Sequence, residues 1–362
     1  MTDPKTLLAL ETSPPCFSLE AATGFARDLF GIEGSAKQLY GERDQNFRIT
    51  PAQGPGIILK ILSPTELESA VDFQIAALEH IRAMDPALPV PRVCRTVSGA
   101  AYDFVRDAAG VAHMVRALEF QPGRVMDDVE PTPGLLRDVG GQLARLDRAL
   151  ANFFHPGMGQ KIVWDLRAIE ILRPSAALIE PAGDRALVES VLERFLAFRP
   201  LLDRLRHQPV HNDLHPGNML VDADATRLTG MLDFGDMIHG PLIFDIAVTA
   251  AETVGSSLDP IAYATEIVAG YDAVNPLQPE EFGALFEAII ARHALAATIM
   301  AWRKQNDPAG AEKLAALAGI GIAAIQAFLA AGKQRVVARF RAACASRPSA
   351  GLTARRFAVL GK

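Results

Sequence analysis

The spacing of apolar residues changes along this chain and divides it into two parts. Residues 18–30, "SLEAATGFARDLF", predict a short amphipathic helix started by Ser18 and stopped at Gly31. Three short runs of β-formers follow, "AKQLYG" (36–41), "QNFRIT" (45–50) and "GIILKIL" (56–62), separated by Gly, Pro and charged turns. Helical spacing returns over 65–83, where Leu67, Val71, Ile75, Leu78 and Ile81 recur every three or four residues. "LPVPRVCRTV" (88–97) and "AHMVRALEF" (112–120) predict two more strands. Five strands, with one helix between the third and fourth, make a compact α+β lobe over residues 1–120.

Beyond "QPGR" (121–124) long helical patterns dominate, at 134–151, 183–206, 261–272, 278–304 and 309–345. Only "NMLVD" (218–222) and "RLTGMLDF" (227–234) are strand-like there. The expected organisation is therefore a small sheet-rich lobe joined to a larger, mainly helical lobe at 121–362, in keeping with a chain long for a single core.

Composition narrows the partners. Apolar residues make up 49% and charged residues 22% of the chain, the range of an ordinary folded protein. A net charge of −6 argues against a nucleic-acid polymer as ligand and is compatible with a small cationic substrate. Cys16, Cys94 and Cys344 are odd in number and far apart, which fits free thiols in a reducing cytoplasm. No charged start followed by an apolar core indicates secretion. Residues 314–332 are apolar except for Gln326 and long enough to span a membrane. They are mostly Ala and Gly, however, so a tightly packed helix within the helical lobe is the expectation, with no membrane partner.

Polar groups concentrate in "VHNDLHPGNMLVD" (210–222) and "GMLDFGD" (230–236). Asp213 lies in a loop, Asn218 follows five residues later, and Asp233 ends an apolar strand. A hairpin from 218 to 233 brings Asp233 back beside Asn218. An amide oxygen and a carboxylate are then offered to one hard cation such as Mg²⁺, which takes oxygen donors and completes its shell with water and nucleotide phosphates. Asp213, nearby and free, is placed to accept a proton from an attacking hydroxyl. Each residue taken singly is also an ordinary turn residue; the joint pattern is what points to chemistry.

"HNDLHPGN" with "LDFGD" resembles the aminoglycoside phosphotransferase and choline kinase branch of the protein-kinase-like superfamily. The resemblance implies a two-lobed α+β fold with an antiparallel sheet in the small lobe, and a kinase using ATP or GTP with Mg²⁺. By position it makes Asp213 the catalytic base and Asn218 and Asp233 the metal ligands. His211 would brace the loop, and His215 and Asp236 would support the acceptor site. Asp245, in "GPLIFDIA", falls where the family has a buried Asp tying down the catalytic loop.

The small lobe should then hold the nucleotide. Lys60 sits within the apolar run "GIILKIL", where an ammonium is costly to bury without an anionic partner, and it matches the family's phosphate-pairing lysine. Relatives hold that lysine with a Glu on the next helix; here the simplest alignment of "VDFQIAALEHI" puts Gln74 there, and Glu68 is the acidic alternative. The loop "YGERDQNF" (40–47) stands where a glycine-rich lid covers phosphates but has one glycine, leaving backbone N–H groups and side chains such as Asn46 to do that work. Glu119 and Phe120 match the connector that meets the nucleotide base.

For the acceptor, Trp164 and Asp165 offer an aromatic face and a carboxylate to a cation, or a packing corner. Arg292 offers a fork for a carboxylate, or an ordinary helix-surface ion pair. The segments "GERDQNFRI", "LKI" and "DFQ" resemble the hydroxylysine kinase-like group, so a hydroxylated amino acid such as 5-hydroxylysine is the leading acceptor. An aminoglycoside, homoserine or an amino alcohol are the alternatives within the same chemistry. A non-catalytic nucleotide-binding protein is the alternative outside it.

Overall fold

The computed structural model describes residues 14–41, 43–253, 259–306 and 311–346. Residue 42 of the 40–47 loop, and 309–310 of the last predicted helix, lie outside the described residues.

Helix α1 (Leu19–Phe30) starts where Ser18 accepts a hydrogen bond from the Ala21 N–H and stops at left-handed Gly31, as its sequence predicts. Six strands follow: β1 (Gly34–Leu39), β2 (Gln45–Pro51), β3 (Ile57–Ile61), β4 (Val93–Cys94), β5 (Asp103–Arg106) and β6 (Ala112–Glu119). They form one antiparallel sheet in the order β1-β2-β3-β6-β4, with β5 also paired to β6. Alternation sorts its faces. Phe47, Leu59 and Ala117 lie opposite one another across three strands and pack against Ala22, Ala26 and Phe30 of α1. Each large side chain buried there contributes about 1.5–3 kcal/mol. The next row, Asn46, Lys60 and Arg116, points to the other face.

Two strand expectations change. Of 88–97 only Val93–Cys94 pairs, because Pro89 and Pro91 remove ladder donors. Strand β5 was not expected, since only Val105 in it is buried and too few apolar residues alternate to signal it.

Helix α2 (Glu68–Met84) bridges the two lobes. Val71 and Ile75 join a small cluster with Leu62 and Met114, whereas Phe73, Ala77, Leu78 and Ile81 enter the main core of the helical lobe.

That lobe contains α3 (Pro133–Leu150), α4 (Ala182–Leu202), α5 (Ile243–Glu252), α6 (Pro260–Val274), α7 (Pro279–Asn306), α8 (Ala311–Ala331) and α9 (Lys333–Ala345). Helices α3 and α6 cross at glycine, since a Cβ on Gly140 would sit 2.0 Å from the Ile267 carbonyl and one on Gly270 2.0 Å from that of Arg137. The single helix expected over 309–345 is two, broken at Gly332 with φ of 82°. The packed apolar helix turns out to be α7, 83% buried; the corresponding window of α8 is 28% buried. Helix α8 buries Ile322, Ile325 and Phe328 and turns Leu317 and Ile320 outward, beside exposed Ala315, Ala316, Ala323 and Ala330. Both helices are long and apolar enough to cross a membrane by length and composition alone.

Short strands finish the lobe: β7 (Arg124–Val125), β8 (His207–Val210), β9 (Met219–Val221), β10 (Leu228–Met231) and β11 (Ile238–Pro241). The hairpin expected between 218 and 233 is β9–β10, with Met231 opposite Met219. The pair β8–β11 was not expected, because "HQPV" and "IHGP" are too short and proline-bearing to signal strands.

Candidate active site

Strand β8 delivers His211, Asn212 and Asp213 into a loop whose backbone is held by side chains. The Asp245 carboxylate, at the start of α5, accepts the His211 N–H at 2.8 Å and the Asn212 N–H at 2.5 Å. Those bonds hold Asn212 at φ of 63°, a left-handed conformation that asparagine tolerates. The His211 ring Nδ1 takes the Asp213 N–H at 3.2 Å, so Nε2 carries the proton and donates to the Leu232 carbonyl at 2.9 Å. Burial pushes His211 below its usual pKa, which keeps this neutral tautomer. The sequence-predicted bracing role of His211 thus has a specific geometry, linking the 211–213 loop to the strand that carries Asp233.

Asn218 closes the loop. Its Nδ2 donates to the Asp213 carbonyl and to Asp213 Oδ2, both at 2.9 Å, and its carbonyl accepts the Leu232 N–H at 2.8 Å. Asp233 follows at φ of 57° and accepts the Gly235 N–H at 3.2 Å. The structure therefore brings Asp213, Asn218 and Asp233 together at the ends of β8, β9 and β10.

Across the cleft, Lys60 Nζ lies 3.4 Å and 3.5 Å from the two Asp233 oxygens. Its second anion is Asp44 at 3.8 Å, whose other oxygen takes the Ser63 N–H. Neither residue weighed as the lysine's helical partner reaches it. Glu68 accepts from the Tyr102 hydroxyl at 2.5 Å on an exposed face. Gln74 is buried, accepts from Arg116 at 2.5 Å and donates to the Gly235 carbonyl at 3.4 Å. Gln74 serves Arg116, the sheet neighbour of Lys60, while Asp44 and Asp233 supply the anions for the lysine.

In the 40–47 loop, Gly41 is required because a Cβ there would lie 2.1 Å from the Asp44 carbonyl. Asn46 Nδ2 ties the loop by donating to the Tyr40 carbonyl, and its buried Oδ1 has no partner among the described residues. Arg43 reaches across to Asp236 at 2.6 Å. At the connector the Glu119 N–H bonds the Arg92 carbonyl, the Phe120 N–H bonds that of Gly56, and the Arg48 guanidinium stacks 3.8 Å above the Phe120 ring.

At the opposite end Arg292 is 2% exposed. It bonds Glu252 at 2.9 Å and the Trp164 carbonyl at 2.8 Å, stacks 4.7 Å over the Trp164 ring and lies 3.8 Å from Asp213 Oδ1. It is a bracket behind Asp213 rather than a helix-surface ion pair. Asp165 turns away, capping 166–168 and pairing with Arg167. His215 Nε2 stands 3.9 Å from Asp213 Oδ2 while its Nδ1 takes the Gly217 N–H. Sequence reasoning missed Arg43, Asp44, Arg116 and Glu252. The first two sit in the quoted loop; nothing local marks Arg116 or Glu252.

A profile of the phosphotransferase enzyme family (APH) matches residues 36–282, more than half of the chain. The chain belongs to that family. It is 28% identical over 347 residues to hydroxylysine kinase of Bos taurus, covering 89% of this chain and 92% of the relative. Among solved structures, a microcompartment-associated aminopropanol kinase superposes with a TM-score of 0.72 at 19% identity, over 88% of this chain and all of that one. The amicoumacin kinase hAmiN, solved with AMP-PNP, Ca²⁺ and Ami, superposes at 0.65 with 16% identity, over 84% of this chain and 93% of that one. The fold is the two-lobed kinase-like one, and the protein is a small-molecule kinase.

The electrostatics of this phosphotransferase set its carboxylates apart. Burial, reinforced by the charge of Asp236 and opposed by Arg292, raises Asp213 well above the usual carboxylate range. Lys60, with Arg116 and Arg43 behind it, holds Asp233 well below that range against the cost of desolvation. Although 45% of the Asp233 side chain is accessible, it faces the cleft between the lobes, where the field of Lys60 is less screened than on an open surface. Burial would raise Glu252 too, but Arg292 outweighs it. One carboxyl is thus proton-avid and the other fixed as an anion, the separation expected of a base and a cation ligand.

The donor set suits Mg²⁺. With both contacts of the Asn218 NH₂ directed to Asp213, its amide oxygen is left to ligate, and Asp233 offers anionic oxygens from the turn after the paired strand. No group of three or more His, Cys, Asp or Glu suited to a metal occurs among the described residues.

Proposed function

We propose that this kinase transfers the γ-phosphoryl of ATP or GTP to the hydroxyl of a small amino compound, a hydroxylated amino acid such as 5-hydroxylysine being the acceptor. The observation carrying the reading is the fixed pair at its centre, Asp213 bonded through Asn218 and backed by Arg292. An acceptor hydroxyl resting on Asp213 Oδ1 gives up its proton there as it attacks in line. Lys60 offsets charge on the nucleotide phosphates, and Asn218 and Asp233 would hold Mg²⁺, which when bound neutralises charge on the transferred group. Asp213, Asp236 and Glu252 make the acceptor end acidic, suiting an ammonium, while Arg292 and Trp164 border it. The relative named hydroxylysine kinase, matched over most of both chains, supports the acceptor class.

One observation favours a second acceptor, an amino alcohol without a carboxylate. Arg292 commits Nε to Glu252 and Nη1 to the Trp164 carbonyl, and its Nη2 lies 3.8 Å from Asp213. Its fork is thus largely taken up by this chain rather than turned to a carboxylate of the acceptor.

On this reading residues 1–120 form the nucleotide lobe and 121–362 the catalytic and acceptor lobe. The protein works in the cytoplasm, in keeping with Cys16, Cys94 and Cys344 forming no disulfide among the described residues. Diphosphate release measured over a panel of hydroxylysine, homoserine, aminopropanol and aminoglycosides decides the acceptor. Turnover with none of them would sink the reading.

A further inference from the structure

We propose that Arg43 is a nucleotide-phosphate ligand: its guanidinium, held by Asp236 in this structure, engages the terminal phosphoryl group of the bound triphosphate. The inference rests on the kinase reading above and adds a residue to it.

Arg43 lies on the loop between β1 and β2 and crosses the cleft to the turn at 234–236, its Nη2 2.6 Å from Asp236 Oδ1. It passes over Gly235, whose Cβ position would be 3.7 Å from that nitrogen. Lys60 reaches the same turn from the neighbouring strand, 3.4 Å from Asp233, so two cations of the small lobe bracket one short acidic segment. Asp44, next in the loop, shares Lys60. The site thus gathers Asp44, Asp213, Asp233 and Asp236 around Lys60 and Arg43, with Arg116 beside Lys60 and Arg292 behind Asp213. An arriving triphosphate brings more negative charge than a single Mg²⁺ cancels, and a cation must meet it there.

Arg43 is built for that exchange. Its fork spends only Nη2 on Asp236, making no other hydrogen bond among the described residues. A carboxylate and a phosphoryl group present the same paired oxygens to a guanidinium, so Asp236 stands in for phosphate when the nucleotide is away. The side chain is 35% exposed, on a loop rather than in a packed core, and the incoming phosphate offsets the pairing it gives up at Asp236.

The test uses the full chain and calorimetric binding of ATP, ADP, GTP and GDP in magnesium buffer, for wild type, Arg43→Ala, Arg43→Lys and Asp236→Asn. Losing a charge-assisted contact to the terminal phosphoryl should weaken triphosphate binding roughly tenfold to a hundredfold in Arg43→Ala. Diphosphate binding should change little, and Arg43→Lys should recover part of the loss. Asp236→Asn removes the competitor and should keep or tighten triphosphate binding. If Arg43→Ala weakens triphosphate and diphosphate equally or leaves both unchanged, the proposal fails. It also fails if Asp236→Asn reproduces Arg43→Ala, because the pair is then a strut between the lobes. Arg43→Lys retains the charge and carries the test should Arg43→Ala not fold. A wild type that binds no triphosphate would instead overturn the kinase reading itself.

Discussion

Asn218 Nδ2 donates to both the carbonyl and the carboxylate of Asp213, each at 2.9 Å, so one amide sets the rotamer of the Asp213 carboxylate and keeps its own oxygen out of that contact. Two roles read separately from the sequence are thus one mechanical unit. Removing either partner should leave the other misoriented.

Asp213→Asn keeps the shape and removes the base. We expect kcat to fall by about 10²–10⁴, the usual worth of general-base catalysis, with nucleotide affinity within a few-fold of wild type. Steady-state kinetics together with nucleotide titration check it. Near-normal turnover would remove Asp213 from the mechanism.

Gln74 is the buried partner of Arg116. In Gln74→Ala the Arg116 guanidinium, 3% exposed and with Nε already unpartnered, loses its acceptor. An unsatisfied buried polar group costs about 1–3 kcal/mol, more if charged, so Tm should drop by several degrees. Gln74→Glu restores an acceptor and should stay near wild-type stability. Equal Tm values across wild type and both variants, by calorimetry, would show that this bond carries nothing.

His293 is buried on α7 and burial pushes its pKa down to about 4. Its unfolded value is 6.5, so the unfolded chain takes up the proton first as pH falls. Stability is therefore whole above pH 6.5 and is lost progressively down to about pH 4, by roughly 3 kcal/mol at the limit. His293→Gln should flatten that part of the curve in urea melts at pH 4.5 and 7. An unchanged slope would assign the acid sensitivity to other groups.

Two glycines separate space from propensity. Gly270→Ala puts a methyl against the Arg137 backbone, so α3 and α6 must move apart, and we expect a loss of about 3 kcal/mol or more. Gly319, within α8, has open space where its Cβ would go, and Gly319→Ala should add up to about 1 kcal/mol. Opposite signs in thermal melts confirm the packing; a neutral Gly270→Ala would contradict the close helix crossing.

The catalytic loop and its hairpin were legible because Asp213, Asn218 and Asp233 are close in sequence, and local spacing fixes how a short hairpin folds back. Lys60 was legible for a different reason: a charge inside an apolar strand demands an anion somewhere. Which anion it meets was not written locally. Glu68 and Gln74 were the natural candidates on the helix, yet Asp44 and Asp233 took the lysine, because strand register puts Arg116 and Lys60 in one row and Gln74 answers the former.

The identity of the strongly patterned strands and helices, the turn at Gly31 and the polar cluster follow from side-chain period, backbone freedom and the cost of burying charge, all properties of neighbouring residues. Strands β5, β8 and β11 are too short or too sparsely apolar to carry that signal. Contacts across long separations were decided only by the folded chain: α2 lending one face to the main core, Arg43 crossing to Asp236, and Arg292 ending behind Asp213 instead of on a surface. Many residues compete for each such partner, and only the assembled geometry selects among them.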